Sequence, residues 1–562
     1  MARFISASST IKMQFRFFIS PSPPAAYLRP HLSHIGYRYI LSQVTVKSKL
    51  KLNTKVDILI LLIHFFERRK RQLRQNLHQY EYLYRSFVTQ FECGVYPEGQ
   101  TMPSQQQLCR QFNVGITTIR KVMKMLEHSG YIRTVTGRPA VSAYRASAES
   151  CIAALLERRD GVNDAFCGLG LLLPALYREG ARLCQETEFT IMRDAIDGIA
   201  GHMELSALYR QANLFFRAVL KPFNNLLIQD LQLDAESYLD VPYIPYPGVK
   251  APSYQAESRV KAWLETALNR ILRKQYDAFY DSILDFYCKT QSTIDGYLEE
   301  LSRAIPAPVP RKADIRWFRT KGHSELYIRL AMSILRRIAG GEFEGKKYLP
   351  SIPRLMEEYG LMKETVCRSI ALLNMLGIAE TKAKKGTILV TGEIQGSISP
   401  ASFDFSDPLI QQRLALCMDA IQIMALSAGI CAKSFTPVTE EWLHRAEEKL
   451  FSASLHSLNP RSVQLLMDYM IQFAPCHSLS NIYSQLNELL LWGYYLYAAD
   501  ASYYAPQEKL QALMRDVVKA LREKDSSALP AALEKAFLQI YRDIHFVIAQ
   551  LPSGTDFLPI PL

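Results

Sequence analysis

Met102-Pro103-Ser104-Gln105-Gln106-Gln107-Leu108, continued by Val114-Gly115-Ile116-Thr117-Thr118-Ile119-Arg120 and closed by Gly130-Tyr131-Ile132, is the stretch that decides the fold. A second version follows much later: Leu349-Pro350-Ser351, Leu355, Leu361, Thr365-Val366 and Gly377-Ile378. Gly94 and Gly341, Pro103 and Pro350, Val114 and Leu361, and Gly130 and Gly377 all stand at one offset, 247 (341−94). A matched set of spacings is much harder to reach by chance than one isolated motif.

Each version reads as a winged helix-turn-helix. In the first, Tyr80, Leu83, Phe87 and Phe91 recur every three to four residues and give one apolar helix face. Gly94 and Gly99 break that helix. Ser104 is suited to cap the next helix, with Gln107 placed to complete a capping box. Asn113 supplies a turn. The following helix turns Ile119, Val122 and Leu126 inward and Thr117, Thr118, Arg120, Lys121 and Lys124 outward. Hydroxyls and cations on one face are what reach base edges and phosphates. Tyr131-Ile132-Arg133 and Val141-Ser142-Ala143-Tyr144 read as two short strands around a tip at Thr136-Gly137-Arg138-Pro139. Gly130 to Gly137 spans seven residues and Gly377 to Gly386 nine, so the second wing is expected to be two residues longer.

These residues resemble the GntR family of bacterial transcription regulators, over the whole of each version. The family pattern is roughly Gly-x4-Gly-x-x-Leu-Pro-Ser-x3-Leu, then Val-Ser-Arg-x-Thr-Val-Arg-x-Ala-Leu, then Gly-Leu-Ile and a wing. Gly115 and Ile116 stand where the family usually has Ser and Arg, while Arg120 keeps the second Arg position. In the second version Met362 replaces the Ser, Lys363 the first Arg and Cys367 the second, and the second loop Gly moves by one residue to Gly345. The resemblance implies a double-stranded DNA operator as partner. It places the contacts at Ser104, Gln105, Thr117, Thr118, Arg120, Lys121, Gly137 and Arg138, and at Ser351, Lys363, Thr365, Arg368, Lys384 and Lys385.

The chain has 562 residues, enough for several domains. Its net charge of +12 is misleading. Residues 1–74 hold 14 Lys or Arg against Asp57 and Glu67, leaving 52 basic and 52 acidic residues in the rest. DNA affinity must therefore come from local patches. Three readings of residues 1–74 compete: a basic arm adding sequence-blind affinity, a membrane-touching segment, and upstream sequence translated from a misplaced start. The last is the expectation. Val56 to Phe66 is largely apolar but too short to span a bilayer. Ten scattered cysteines without Cys-x-x-Cys spacing read as reduced, cytoplasmic usage.

Residues 150–302 and 405–550 are Leu- and Ala-rich with helical periodicity, as in Leu510, Leu513, Val517 and Leu521. Tyr243-Ile244-Pro245-Tyr246-Pro247-Gly248 is a loop interrupting the first of them. Ile271-Leu272-Arg273-Lys274 aligns with Ala520-Leu521-Arg522-Glu523 at an offset of 249 (520−271), so the whole unit reads as duplicated. The fold class expected is mainly α: winged modules at 75–146 and 323–393, each followed by an all-helical bundle, with a linker at 303–322 and another from Ile394 to Pro400.

Within the family this points to the branch with a helical effector bundle. Many such bundles hold a metal through histidines, but Met514 and Phe537 stand at the equivalent places here. His444, His456, His477 and His545 lack ligand spacing, so neither metal nor cofactor is expected. Tyr494-Tyr495, Tyr497 and Tyr503-Tyr504 are candidates to line an effector pocket, or simply core. There is no phosphate-binding Gly loop and no nucleophile elbow, which argues against an enzyme. The leading expectation is a transcription regulator, without membrane association, whose two modules act as an intramolecular pseudo-dimer under a small-molecule effector. A homodimer of tandem units, a plasmid replication initiator and a protein-interaction scaffold with inactive winged folds remain open.

Overall fold

The computed structural model describes residues 79–549 except 113, 135–137, 146, 202, 204, 251–256, 306–316, 318–325, 340–341, 344–345, 376–377, 390–407, 452–457, 491 and 494–506. All described residues belong to one compact unit, Arg69–Leu562. The basic segment 1–74, the Ile394–Pro400 linker, Gly137 and the Tyr494–Tyr504 cluster lie outside the described residues.

The chain starts with α1 (Gln79–Glu92), α2 (Gln105–Phe112), α3 (Ile116–His128), β1 (Ile132–Arg133) and β2 (Val141–Ser142). Leu83, Phe87 and Phe91 of α1 close on Leu108, Phe112, Ile119, Val122 and Leu126 in one small apolar core. Ser104 and Gln107 form the capping box that starts α2, with the Ser104 N–H donating to Gln107 Oε1 at 2.8 Å and the Gln107 N–H to Ser104 Oγ at 3.3 Å.

A helical bundle follows: α4 (Ala148–Glu157), α5 (Arg159–Leu183), α6 (Glu186–Asp197), α7 (Leu205–Leu220), α8 (Leu226–Tyr238), α9 (Glu257–Leu272) and α10 (Tyr276–Ala304). The Pro-rich loop after α8 is held by Tyr297, whose hydroxyl accepts from the Ile244 N–H at 2.8 Å. Arg159 pairs with Asp295 at 2.8 Å and with Glu299, fixing α5 to α10. Arg158 joins the first module to this bundle. It reaches Cys93 Sγ at 3.4 Å and the Tyr238 carbonyl at 3.0 Å.

Then come α11 (Leu326–Ala339), α12 (Ile352–Tyr359), α13 (Lys363–Met375), β3 (Ala379–Lys382) and β4 (Gly386–Leu389). Each helix begins and ends at the same offset from its counterpart, 247: 326 and 339 against 79 and 92, 352 and 359 against 105 and 112, 363 and 375 against 116 and 128. The hairpins keep that offset, because Ile132 pairs with Ser142 and Ala379 with Leu389. The second hairpin is therefore not longer, which corrects the sequence expectation. Gly386 takes the place of Pro139, not of Gly137. It sits at φ +101° where the three-residue turn re-enters β4, and its partner there is Lys382. That backbone requirement, rather than a longer loop, explains the glycine.

The second bundle contains α14 (Pro408–Ala432), α15 (Glu440–Phe451), α16 (Leu458–Gln472), α17 (His477–Leu490), α18 (Gln507–Glu523) and α19 (Ala528–Ala549). Past the ends of α9 and α18 the equivalent residues are Lys274 and Lys524, an offset of 250 (524−274) rather than 249. Both take positive φ, at 58° and 53°. The Gln275 N–H reaches back to the Arg270 carbonyl and the Asp525 N–H to Ala520, both at 2.9 Å. The shared Leu-Arg pair drew the sequence alignment off by one; the left-handed helix ends give the structural equivalence.

Ile410–Ala432 of α14 is long and apolar enough to cross a membrane by composition, but most of that stretch is buried inside the protein. An all-round apolar helix is what the centre of a large bundle needs. Here α14 and α5, each 25 residues long, pack against each other where the two bundles meet. The joint uses one device in both directions. Asp164 of α5 accepts from the His477 and Ser478 N–H groups at the start of α17, at 2.8 and 2.7 Å. Asp419 of α14 accepts from the Leu226 N–H at the start of α8, at 3.0 Å. Asn225, the N-cap of α8, adds bonds to the Asp419 carbonyl and to Gln422 Oε1, both 2.9 Å. A carboxylate at a foreign helix N-terminus satisfies donors that the helix itself leaves unpaired.

Candidate nucleic-acid interface

Helix α3 buries Ile119, Val122, Met123 and Leu126 and leaves Thr117, Arg120, Lys121 and Lys124 exposed, with Thr118 half-buried. The outward residues fall three to four apart and share one face. Ser104 and Gln105 stand at the start of α2, Gln105 exposed and Ser104 half-buried. Arg138 is exposed on the hairpin loop. Thr134, at the end of β1, is tied to α3 by Glu127, which accepts from its N–H at 3.1 Å. Arg133 was absent from the expected contacts, yet it is exposed beside buried Ile132. The alternation of a half-buried strand was the signal that could have found it.

A third strand-like segment was also missed. Thr101 bridges Val141, and Met102 donates to the Ala140 carbonyl at 2.8 Å. Two or three extended residues between glycine and proline carry too little periodicity to be read as a strand. The second module repeats this bridge, at the same offset, between Tyr348 and Ile388.

In the second module Ser351 caps α12 by its backbone position, and Lys363, Glu364 and Arg368 are exposed on α13. Thr365 is half-buried, and its carbonyl accepts from the Ser369 hydroxyl at 2.8 Å. Lys384, at φ 63°, and Lys385 form the exposed hairpin tip. Lys382 is held by Glu380 at 3.3 Å.

Two of the expected contacts are engaged within their own module. Lys121 Nζ lies 3.2 Å from the Tyr80 ring centroid, and the Arg368 guanidinium 4.1 Å from that of Tyr327. The pairs are equivalent, since Lys121 with Arg368 and Tyr80 with Tyr327 both keep the module offset. Each cation–π contact clips the third helix of its module to the first. Arg120 and Lys124 of α3 and Lys363 of α13 are exposed cations outside these clips.

Both α3 and α13 start without a capping side chain. Gly115 is the N-cap of α3, and the Met362 carbonyl accepts from the Val366 N–H at 3.1 Å, as the residue before α13 should. Met362 is 76% exposed, and a Cβ on Gly115 would meet nothing nearer than Thr117 Oγ1 at 3.8 Å. Met362→Ser should therefore stabilise the chain by about 1 kcal/mol, and Gly115→Ser by a few tenths. Urea denaturation checks both; a Met362→Ser midpoint below that of the parent would contradict the capping argument.

Elsewhere, Met514 and Phe537 are fully buried apolar residues. His444 and His477 are exposed, while His545 is half-buried with its pKa lowered by burial. A cleft of about 270 Å³ opens on the second bundle beside Trp442, Arg445, Leu465, Asp468 and Gln472. It falls just below the range of roughly 300–1,000 Å³ usual for ligand pockets.

Residues 79–141 match the model of the family described as bacterial regulatory proteins, gntR family. No curated protein matches the chain. Among solved structures, a transcriptional regulator (GntR family member) from Pseudomonas syringae pv. tomato str. DC3000 is 14% identical, with a TM-score of 0.20, over 43% of this chain and 98% of that one. Streptococcus agalactiae GntR is 18% identical, with a TM-score of 0.18, over 38% of this chain and 99% of that one. Residues 79–141, with their capped α2, outward-facing basic α3 and hairpin, are a gntR-family winged helix-turn-helix DNA-binding domain.

Proposed function

We propose that the chain is a cytoplasmic transcription regulator in which two fused GntR-type units act as an intramolecular pseudo-dimer on one double-stranded operator. The observation that carries this reading is the constant numbering offset that runs through three helices, a hairpin register and a cation–tyrosine clip. The two recognition helices differ, so the operator is non-palindromic. Arg120 with Thr117 reads one half-site; Lys363, Lys384 and Lys385 hold the other mainly through phosphates. A small-molecule effector in a helical bundle, as the family resemblance implies, would shift the balance between spacings of the modules.

The experiment is selection of bound sequences from random DNA with the full chain, followed by titration of variants. We expect one chain per asymmetric site. Arg120→Ala should weaken binding by about 1–3 kcal/mol, roughly 5- to 150-fold, if its fork contacts a guanine edge. Lys363→Ala should weaken all sequences alike and lower the salt slope by about one. A palindromic site bound by two chains would overturn the pseudo-dimer.

A further inference from the structure

The joint between the bundles holds two sulfurs as well as two carboxylates. Cys167 lies on α5 of the first bundle, and Cys476 immediately precedes α17 of the second. Each thiol is the leading influence on the other's ionisation, and the segments that carry them touch. We propose that the two thiols form a peroxide-sensitive dithiol, oxidised to a disulfide that ties one bundle to the other.

The backbone around both residues is already in contact. Asp164, one helical turn before Cys167, holds the N–H groups of the two residues that follow Cys476. The Ser478 hydroxyl donates to the Asp164 carbonyl at 2.5 Å. A Cβ on Gly168 would collide with Ser478 Oγ, so the glycine is what lets the segments meet. The segments that carry the two sulfurs therefore meet across a fixed contact, and a disulfide needs its two Cβ atoms that close.

Cys476 is placed as the attacking sulfur. Its carbonyl accepts from the Ser480 N–H at 3.2 Å, which makes it the N-cap of α17. Its sulfur accepts from the Leu479 N–H and draws on Cys167, while the Ser478 hydroxyl, whose proton goes to the Asp164 carbonyl, lies 3.5 Å away. Cys167 leads in lowering its pKa to about 7 against the effect of burial. A helix N-terminus and convergent donors favour thiolate. Cys167 is pushed the other way by the same pairing and stays protonated. Both are half-buried, within reach of a small oxidant, whereas Cys417 and Cys431 are buried.

The chemistry balances in two steps. The Cys476 thiolate attacks one oxygen of a hydroperoxide. The O–O bond breaks, leaving Cys476 as a sulfenic acid and releasing the other half as alcohol or water after protonation. The Cys167 sulfur then attacks the sulfenic sulfur. The S–S bond forms, the S–O bond breaks, and the hydroxyl leaves with the Cys167 proton as water. Two thiols lose two electrons and the peroxide gains them.

The test uses the full chain, reduced and then exposed to hydrogen peroxide. Trypsin places Cys167 in residues 160–178, Cys476 in 462–509, and Cys417 with Cys431 in 414–433, so tandem mass spectrometry, which fragments the linked peptides, separates the pairings. We expect a Cys167–Cys476 link formed before the exposed Cys288 is oxidised. Cys167→Ser should abolish the link and let dimedone trap Cys476 as its sulfenic acid. The thermal midpoint of the parent chain should rise on oxidation and that of Cys167→Ser should not. A Cys476–Cys431 link, a dimedone adduct on Cys476 of the parent chain without a link, or oxidation of Cys288 ahead of both would overturn the proposal.

Discussion

Asp419→Asn should raise the stability of the chain by about 4 kcal/mol at pH 8 and leave it nearly unchanged at pH 4, with roughly three pH units at about 1.4 kcal/mol each setting the size. Asp419 is 5% exposed, and burial lifts its pKa from 3.8 to about 7, although the Leu226 and Leu227 N–H groups pull it down. Asp230 adds to the rise. The folded value lies above the unfolded one, so the folded state holds the proton more tightly. The side chain therefore contributes most below pH 3.8. That contribution is lost as pH climbs to about 7, and above it the buried charge costs the full difference. An Asn carbonyl can still accept from Leu226 without carrying charge. Thermal unfolding from pH 4 to pH 8 checks it; parallel curves for the two chains would refute the argument.

Arg337→Ala should cost about 3 kcal/mol, because it takes the cation out of a mostly buried network of two carboxylates and a hydroxyl. The Arg337 guanidinium, 11% exposed, pairs with Glu342 at 2.6 Å and Glu358 at 3.1 Å and donates to the Tyr359 hydroxyl at 3.1 Å. The first module shows the alternative. Gln90, Val95, Gln111 and Phe112 occupy the positions there that Arg337, Glu342, Glu358 and Tyr359 occupy here. Gln90 simply donates to Ser86 at 3.3 Å, and Ser333 is the matching hydroxyl. Combining Arg337→Gln, Glu342→Val, Glu358→Gln and Tyr359→Phe should recover most of the loss, because no charge is then left buried. Urea denaturation of the single and quadruple variants decides it, and equal losses in both would count against the network.

The sequence carried the winged elements well because their signals are local. The Ser104–Gln107 box, the glycines and the period of Ile119, Val122 and Leu126 each act within a turn or two. It misled where one residue type serves two geometries. Gly137 and Gly386 looked equivalent as wing glycines, yet the strand register separates them. The candidate site was legible as a set of outward charges but not as a set of partners. Nothing near Lys121 in the sequence announces Tyr80, which lies two helices earlier. The bundle joint was least legible. Carboxylates that cap helices 193 and 313 residues distant leave no local pattern at either end.

That distance has a consequence for synthesis on the ribosome. Asp164 emerges 313 residues before its partner His477. At roughly 5–20 residues per second, the joint face of α5 waits about 15–60 s for the segment that covers it. The nascent first bundle thus spends that interval with its docking face open to water. Chaperone demand and aggregation during expression should concentrate there, and slowing translation between residues 184 and 476 should lengthen the exposure.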